Sequence, residues 1–475
     1  VNNLSREGID INDIESTASP SASPSVSALA PTSDLLYGLN ERPPLKLSIL
    51  VALQHVLAVF VGIVTPPLII SRALKLSDAD GVFLVSMALL VSGLGTIVQT
   101  RRIGPVGSGL LSIQGTSFVF LGPIISLAAS VTASGGTQRE SLGIVFGVCM
   151  AASVVPILIG PCIRWASKIV TPLVTGIVVT LIGLTLVEVG ITSLGGGFAA
   201  KQDGTFGAAG NLGLASVVIV LIVAMNGSPR NWMRTLSVVA GLAGGYLLAW
   251  VAGKVAFSID GSLPWIALPV PFRYGIGIRA AALVPFAFLY LITAIESIGD
   301  LTATSSLCAQ PITGQVYFER LRGGVMADGV SSLVAAALNS FPSTTFAQNN
   351  GVIQLTGVGS RYVGTWVGVM LMVLGLLPVV GSVVQGIPQP VLGGATIIMF
   401  GMVAVAGIKI LSAVSMDRRA TTIAALSFGL GLGVTFVPGI LGLMPPFVRD
   451  MFSSGVATGG MCALALNALL PGRRS

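Results

Sequence analysis

Two hydrophobic regimes divide this chain. Residues 1 to about 45 mix Ser, Pro and acids (SPSASPSVSALAPTSD) without a periodic apolar face, and predict a disordered tail unable to bury a core. From Leu47 on, apolar runs of bilayer-spanning length follow one another across short polar breaks. They predict fourteen transmembrane helices at about 47–70, 79–99, 104–129, 141–161, 169–190, 211–227, 233–256, 280–300, 323–340, 341–359, 362–381, 387–411, 418–438 and 453–471. The runs lack the polar/apolar alternation of outer-membrane barrel strands, so the predicted fold class is all-α and polytopic.

Spans 3 and 10 do not read as continuous helices. Span 3 opens Gly104-Pro-Val-Gly-Ser-Gly-Leu-Leu-Ser-Ile-Gln-Gly-Thr-Ser-Phe, and span 10 opens Phe341-Pro-Ser-Thr-Thr-Phe-Ala-Gln-Asn-Asn-Gly. Each predicts a short extended, strand-like stretch that turns into a half-helix. Irregular backbone survives at bilayer depth only where protein or water satisfies it. Interrupted spans at matching places in two halves point to a midplane binding site, with half-helix N-termini aimed at the ligand.

The matching places follow from an internal repeat. Pro156 and Pro378 sit near the ends of spans 4 and 11, while Pro172 and Pro390 sit early in spans 5 and 12, at offsets of 222 and 218 residues. Seven spans per half is odd, so the halves must be inverted in the bilayer, a secondary-transporter arrangement. Loop charges give the orientation. With the N-terminus inside, 17 of the 25 basic residues lie on the cytoplasmic side, among them Arg101, Arg102, Arg320, Arg322, Arg361, Arg418 and Arg419. Both termini are therefore expected in the cytoplasm.

Composition sharpens the picture. Charged residues make up 9% of the chain and apolar residues 53%. So little charge excludes a disordered chain, a nucleic-acid binder and a secreted disulfide scaffold. The net charge of +7 then belongs to positive cytoplasmic loops rather than to an anionic partner. Cys149, Cys162, Cys308 and Cys462 lie far apart and read as small core residues. The polar start lacks a cleavable-signal pattern, so the first span is expected to direct insertion.

Four acids lie in or beside apolar spans, where each costs several kcal/mol and needs a reason. Glu188, at the end of span 5, reads as an acid reaching water. Glu296 and Asp300 share one helix face one turn apart, which suits a proton carrier; the alternative is a pair of acids at a helix end. Asp328, near the start of span 9, belongs either to a proton or gating network or to a helix start favoured by the dipole. His55, the single histidine, suits an organising hydrogen bond first and a proton relay second; alone it does not suit a metal. The strongest local signal is Ala347-Gln348-Asn349-Asn350-Gly351. Three amides in an apolar region bond either a ligand or neighbouring helices. Gln348 matches the edge of a planar heterocycle with adjacent C=O and N–H groups, and Phe118 and Phe346 offer π-faces for its ring.

The pattern Gln348-Asn349-x-Gly351-x-x-x-x-Thr356-Gly357 resembles the signature of the nucleobase–ascorbate transporter family. The stretch FAQNNGVIQLTGVGSRYVG, with VGSGLLSIQGTSF in span 3 and GDLTATS after span 8, resembles its bacterial xanthine permeases over essentially the whole chain beyond residue 40. That resemblance implies two inverted seven-span repeats. Residues 46–168 and 280–385 would form a core domain, and 169–279 and 386–475 a gate domain that also makes a homodimer contact. It implies proton-coupled purine import across the inner membrane by an elevator-like shift of core against gate, with no cofactor. Glu296 would bind the purine, Gln348 would give a second polar contact, Phe118 and Ala347 would line the pocket, and Asn349 would shape affinity. His55, Asp300 and Asp328 would serve proton-linked or structural roles. Ser117 stands where such permeases carry Asn or Ser. The smaller residue leaves room beside the five-membered ring, so xanthine is the first expected substrate and uric acid the second.

Two rival classes remain. An anion carrier of the same fold has no need of a buried Glu, which repels anions. A membrane enzyme needs a metal cluster or a nucleophile–base pair, and neither is present in the pattern. Within the family, uracil or ascorbate are the alternatives to a purine.

Overall fold

The computed structural model describes residues 35–164, 171–255, 265–445, 448, 449, 452 and 454–470. Its helices start where apolar runs meet capping residues. Helix α1 is Leu45–Ala73 and α2 is Asp78–Arg101, the latter capped by Ser77, whose hydroxyl accepts from the Asp80 N–H. Strand β1 (Gln114–Thr116) leads through the 3₁₀ turn Phe118–Phe120 into α3 (Leu121–Ala133). Helices α4 (Gln138–Ala152) and α5 (Val154–Ile159) follow, then α6 (Pro172–Leu194), the short α7 (Gly197–Gln202), α8 (Ala209–Asn226) and α9 (Asn231–Val251). The second half opens with α10 (Ala280–Leu307) and α11 (Gly314–Ala337). Strand β2 (Ser343–Thr345) then leads into α12 (Gln348–Thr356). Helices α13 (Arg361–Leu376), α14 (Pro378–Gln385), α15 (Gln389–Ser412), α16 (Arg418–Phe436) and α17 (Gly455–Leu469) complete the described chain.

Eight described helices are long and apolar enough to cross a membrane, or nine if the pair α13–α14, bent by 77°, counts as one span. The chain is a multi-pass helical membrane protein. The other predicted spans fall on shorter, broken or more polar segments, including Phe118–Ala133, Leu236–Val251 and Gly455–Leu469. The two strand-to-helix interruptions lie in the segments whose Gly, Ser and Thr content had pointed to them.

Three sequence expectations are corrected. The tail ends earlier than residue 45: Leu36 and Tyr37 donate to the Gly357 carbonyl, Arg361 donates to the Leu39 carbonyl, and Leu39 is buried. Backbone pairing to the turn after α12 holds this stretch, a contact no local pattern reveals; residues 1–34 lie outside the described residues. Helix α10 runs to Leu307 and α11 begins at Gly314, well outside the predicted spans. The Thr302 and Thr304 hydroxyls donate to carbonyls one turn back, so a polar stretch stays helical. Cys149 and Cys308 are buried as expected, whereas Cys162 is exposed.

Helices α6 and α15 pack antiparallel through a seam of small residues. Gly176 meets Leu411, Gly183 meets Ala404 and Gly190 meets Ile397, so both members of each contact step by seven residues. At Gly183 the approach is backbone to backbone: a Cβ there would lie 2.2 Å from the Ala404 nitrogen. Both helices carry proline in the first two positions, Pro172 and Pro390, where the missing N–H costs nothing. On another face, the segment before α10 is tied to the remaining helices. Tyr274 donates to Asp80 at 2.7 Å, Arg273 pairs with Asp80 at 3.1 Å, and Asn339 donates to the Val270 carbonyl at 2.7 Å.

Candidate functional site

Strands β1 and β2 pair antiparallel, with Gln114 opposite Thr345, Gly115 opposite Thr344 and Thr116 opposite Ser343. Three residues per strand are too few for a sheet, so side chains complete the hydrogen bonding. The Gln114 N–H donates to Thr96 Oγ1 at 3.0 Å, the Ser343 N–H to Ser332 Oγ at 3.0 Å, and the Ser117 N–H to the Pro342 carbonyl at 2.8 Å. Thr116 Oγ1 donates to the Ile63 carbonyl at 3.2 Å. The crossing thus anchors to α1, α2 and α11, and from it the two half-helices diverge.

Asp328 organises the polar centre. Gln114 Nε2 donates to its Oδ1 at 2.6 Å and the Ser297 hydroxyl donates to its Oδ2. Asp328 is buried at the middle of α11. The helix-start alternative is thereby corrected: α11 begins fourteen residues earlier, at Gly314, so Asp328 lies far beyond the first turn where the dipole acts. Ser297 in turn lies 3.2 Å from Thr344 Oγ1 and 3.3 Å from Thr345 Oγ1. Thr345 Oγ1 also reaches Asp300 Oδ2 at 3.2 Å. Asp300 and Glu296 are inside α10 rather than at its end, about two and three turns short of Leu307, because the helix continues through the threonines. Asp300 therefore lies against β2, not in the loop, and Glu296 one turn before it is likewise within the helix.

Glu296 neighbours Ser297 on the same helix. It is half-buried, and its Oε2 is buried with no hydrogen-bond partner among the described residues. Gln348, half-buried, opens α12 three residues beyond Thr345, with Ala347 exposed before it. Ser117, buried, and Phe118, half-buried, stand where β1 turns toward α3. The Phe118 ring meets Phe400 of α15 edge-on, with centroids 5.3 Å apart. Phe118 follows β1 and Gln348 follows β2, so the aromatic face and the amide leave opposite ends of the antiparallel pair, while Glu296 sits on α10 one residue before Ser297.

Other candidates have different surroundings. Asn349 is buried, and its Nδ2 donates to the Leu111 carbonyl at 2.5 Å, tying α12 to the approach to β1. Asn350 accepts from Thr304 at 2.7 Å and ties α12 to α10. These two amides join segments, the helix-gluing alternative. Phe346 is corrected as a π-face: its ring is buried against Gly62 and Gly115, where added Cβ atoms would lie 2.6 and 2.4 Å from it. His55 is fully buried in α1, and neither ring nitrogen has a hydrogen-bond partner among the described residues, so the expected organising bond is not formed. Among the described residues no three His, Cys, Asp or Glu side chains gather as a metal site.

Sequence reasoning missed Gln114, Ser297, Thr344 and Thr345 as site residues. The only local signal was their polarity inside apolar segments, which small hydroxyl residues share with ordinary helix contacts.

A cavity of about 410 Å³ adjoins this centre. Its lining includes Phe118 and Ser126 on one wall, Thr185 and Glu188 of α6 on the other, and Thr435 beyond α6. Glu188 is exposed, as its place near the end of α6 suggested.

Comparison with known proteins fits this arrangement. Residues 46–440 match the family model described as Permease family (Xan_ur_permease). The xanthine permease XanP of Escherichia coli (strain K12) is 47% identical over 440 residues, covering 92% of this chain and 95% of that protein. The uric acid permease PucJ of Bacillus subtilis (strain 168) is 34% identical over 420 residues, covering 88% and 91%. Among solved structures, the transmembrane domain of the cyanobacterial bicarbonate transporter BicA superposes with a TM-score of 0.55 at 15% identity, covering 87% of this chain and 99% of that one, a likeness of fold alone. The matched family and these relatives are transporters rather than enzymes, and the chain belongs to the nucleobase–ascorbate transporter family of permeases.

Proposed function

We propose that this permease is a proton-coupled symporter importing purine nucleobases, xanthine first and uric acid second. The observation that carries the reading is the Glu296 carboxylate. It has a buried, unpartnered oxygen beside a polar centre whose other groups bond one another. A buried acceptor is costly until something donates to it. A purine edge offers N–H groups, and charge-assisted bonds to a carboxylate are about twice as strong as neutral ones. Gln348 supplies the complementary amide and Phe118 the ring face, while Ala347 and Ser117 line the pocket. The names of XanP and PucJ support a purine over uracil or ascorbate. The same carboxylate speaks against carriers of small inorganic anions on this fold, because such cargo brings negative charge without the N–H edge of a purine to offset it.

Protons are the coupling ion in this reading, carried by Asp300 and Asp328, which Ser297 and Thr345 connect, with His55 in a proton-linked or structural role apart from them, while Asn349 sets affinity through the position of α12. The chain has fourteen spans in two inverted repeats, and residues 46–168 with 280–385 move as a core against 169–279 with 386–475 in an elevator-type shift. Support comes from the matching strand-to-helix crossings and from the antiparallel α6–α15 pair with corresponding prolines. Both termini are cytoplasmic, the membrane is the inner one, and the gate domain forms a homodimer. Uptake of labelled xanthine by cells lacking their own permeases, with unlabelled purines as competitors, tests the substrate. A protonophore should abolish accumulation; dependence on external sodium would refute proton coupling.

A further inference from the structure

We infer that Glu188 is a specificity-determining residue that filters purines by charge before they reach the central site. The inference rests on the purine reading above and adds a residue outside the substrate contacts. The 410 Å³ cavity falls within the roughly 300–1,000 Å³ range of small-molecule sites. Phe118, at the head of the α3 segment, forms part of its wall, so the cavity leads to the place where the aromatic face waits. It is built from the later part of α6, the end of α16 and the start of α17. With both termini cytoplasmic, that is the outer side, where an incoming purine arrives.

Glu188 is the only charged side chain among the described residues lining this cavity, and it has no ion-pair partner among the described residues. Its polar companions there, Thr185, Thr435 and Ser126, are neutral. Lys201, on the following short helix, is engaged with Thr192 and the Phe206 ring, one turn further along α6. Among the described residues that line the cavity, the one formal charge is therefore the Glu188 carboxylate. Clefts with low-dielectric walls focus such a field on the path through them.

Substrate chemistry makes that field selective. Uric acid is an anion at neutral pH, whereas xanthine is largely neutral. A carboxylate on the path raises the free energy of the urate anion there and leaves neutral xanthine nearly unaffected.

The test measures competition by unlabelled uric acid and by xanthine against labelled xanthine uptake, at one fixed neutral pH, for the full-length chain in cells. Glu188→Gln should strengthen uric acid relative to xanthine by roughly three-fold, and Glu188→Lys by more, the scale of one charge acting through a water-filled cleft. Glu188→Asp should retain the wild-type ratio. In the wild type, raising ionic strength should strengthen uric acid selectively, because salt screens an exposed charge. An unchanged ratio in Glu188→Gln and Glu188→Lys, or a wild-type ratio indifferent to salt, overturns the inference. Absence of any purine uptake by the wild type would instead overturn the proposed function.

Discussion

The α6–α15 seam and the β1–β2 crossing solve the same problem by opposite means. Both bring chain segments into close contact inside a bilayer, where the hydrophobic effect offers little between apolar helices. At the seam, glycines let backbones approach closely: Gly183 against Ala404, Gly407 against Thr180. At the crossing, short strands leave backbone and side-chain polar groups that must find one another. They do so through Gln114, Ser297, Ser343, Thr344, Thr345 and Asp328. Shape holds the first region, and a nearly complete set of hydrogen bonds holds the second. Around that set several buried atoms lack a hydrogen-bond partner among the described residues, Glu296 Oε2 and Ser117 Oγ among them. Phe118, at the exit of β1, links the two regions through its edge-on contact with Phe400 of α15.

The largest expected effect lies at the crossing. Asp328→Ala would leave Gln114 and Ser297 without their buried acceptor, at a cost of about 1–3 kcal/mol for each unsatisfied donor. Thermal unfolding of purified protein should show a large loss of stability; an unchanged melting temperature would mean the network is not what holds the strands.

Gly183→Leu attacks the seam, because its Cβ alone would lie 2.2 Å from backbone, and overpacking of this kind costs about 1–3 kcal/mol. The expected result is a lowered melting temperature rescued in part by Gly183→Ala. Equal stability of the Leu variant would show that the two helices separate readily.

Glu296→Gln should reach the membrane with near-native stability yet lose xanthine binding at least about tenfold, the scale of a charge-assisted hydrogen bond. Gln348→Ala should weaken binding less, by about 1 kcal/mol, since aromatic and backbone contacts remain. Calorimetry or ligand-induced thermal shift separates the two, and wild-type binding by Glu296→Gln would remove that residue from the site.

The smallest effect is expected at the surface. Glu319 pairs with Arg102 at 3.5 Å and its carboxyl is held below the ordinary range by hydrogen bonds from Gln315 and Arg102. Both partners are well exposed, so Glu319→Gln should leave melting temperature and uptake unchanged. A measurable loss would give this ion pair a role that its exposure argues against.

The sequence by itself determined much of this protein. Apolar run length set the helical membrane fold, because a bilayer admits few other ways to satisfy backbone. The Gly, Ser and Thr content of two segments located the interruptions, and the amide run with Glu296 located the polar centre. Local pattern was misleading where a polar residue's partner is distant. Asp328 allowed a helix-start reading as its alternative until Gln114 and Ser297, from two other elements, closed on it. Phe346 read as a pocket ring until Gly62 and Gly115 enclosed it. Residues 35–44 read as tail until the turn after α12 paired with them. Tertiary structure alone decided these, because a hydrogen bond or a packed ring depends on which segments meet, and no periodicity along one segment carries that information.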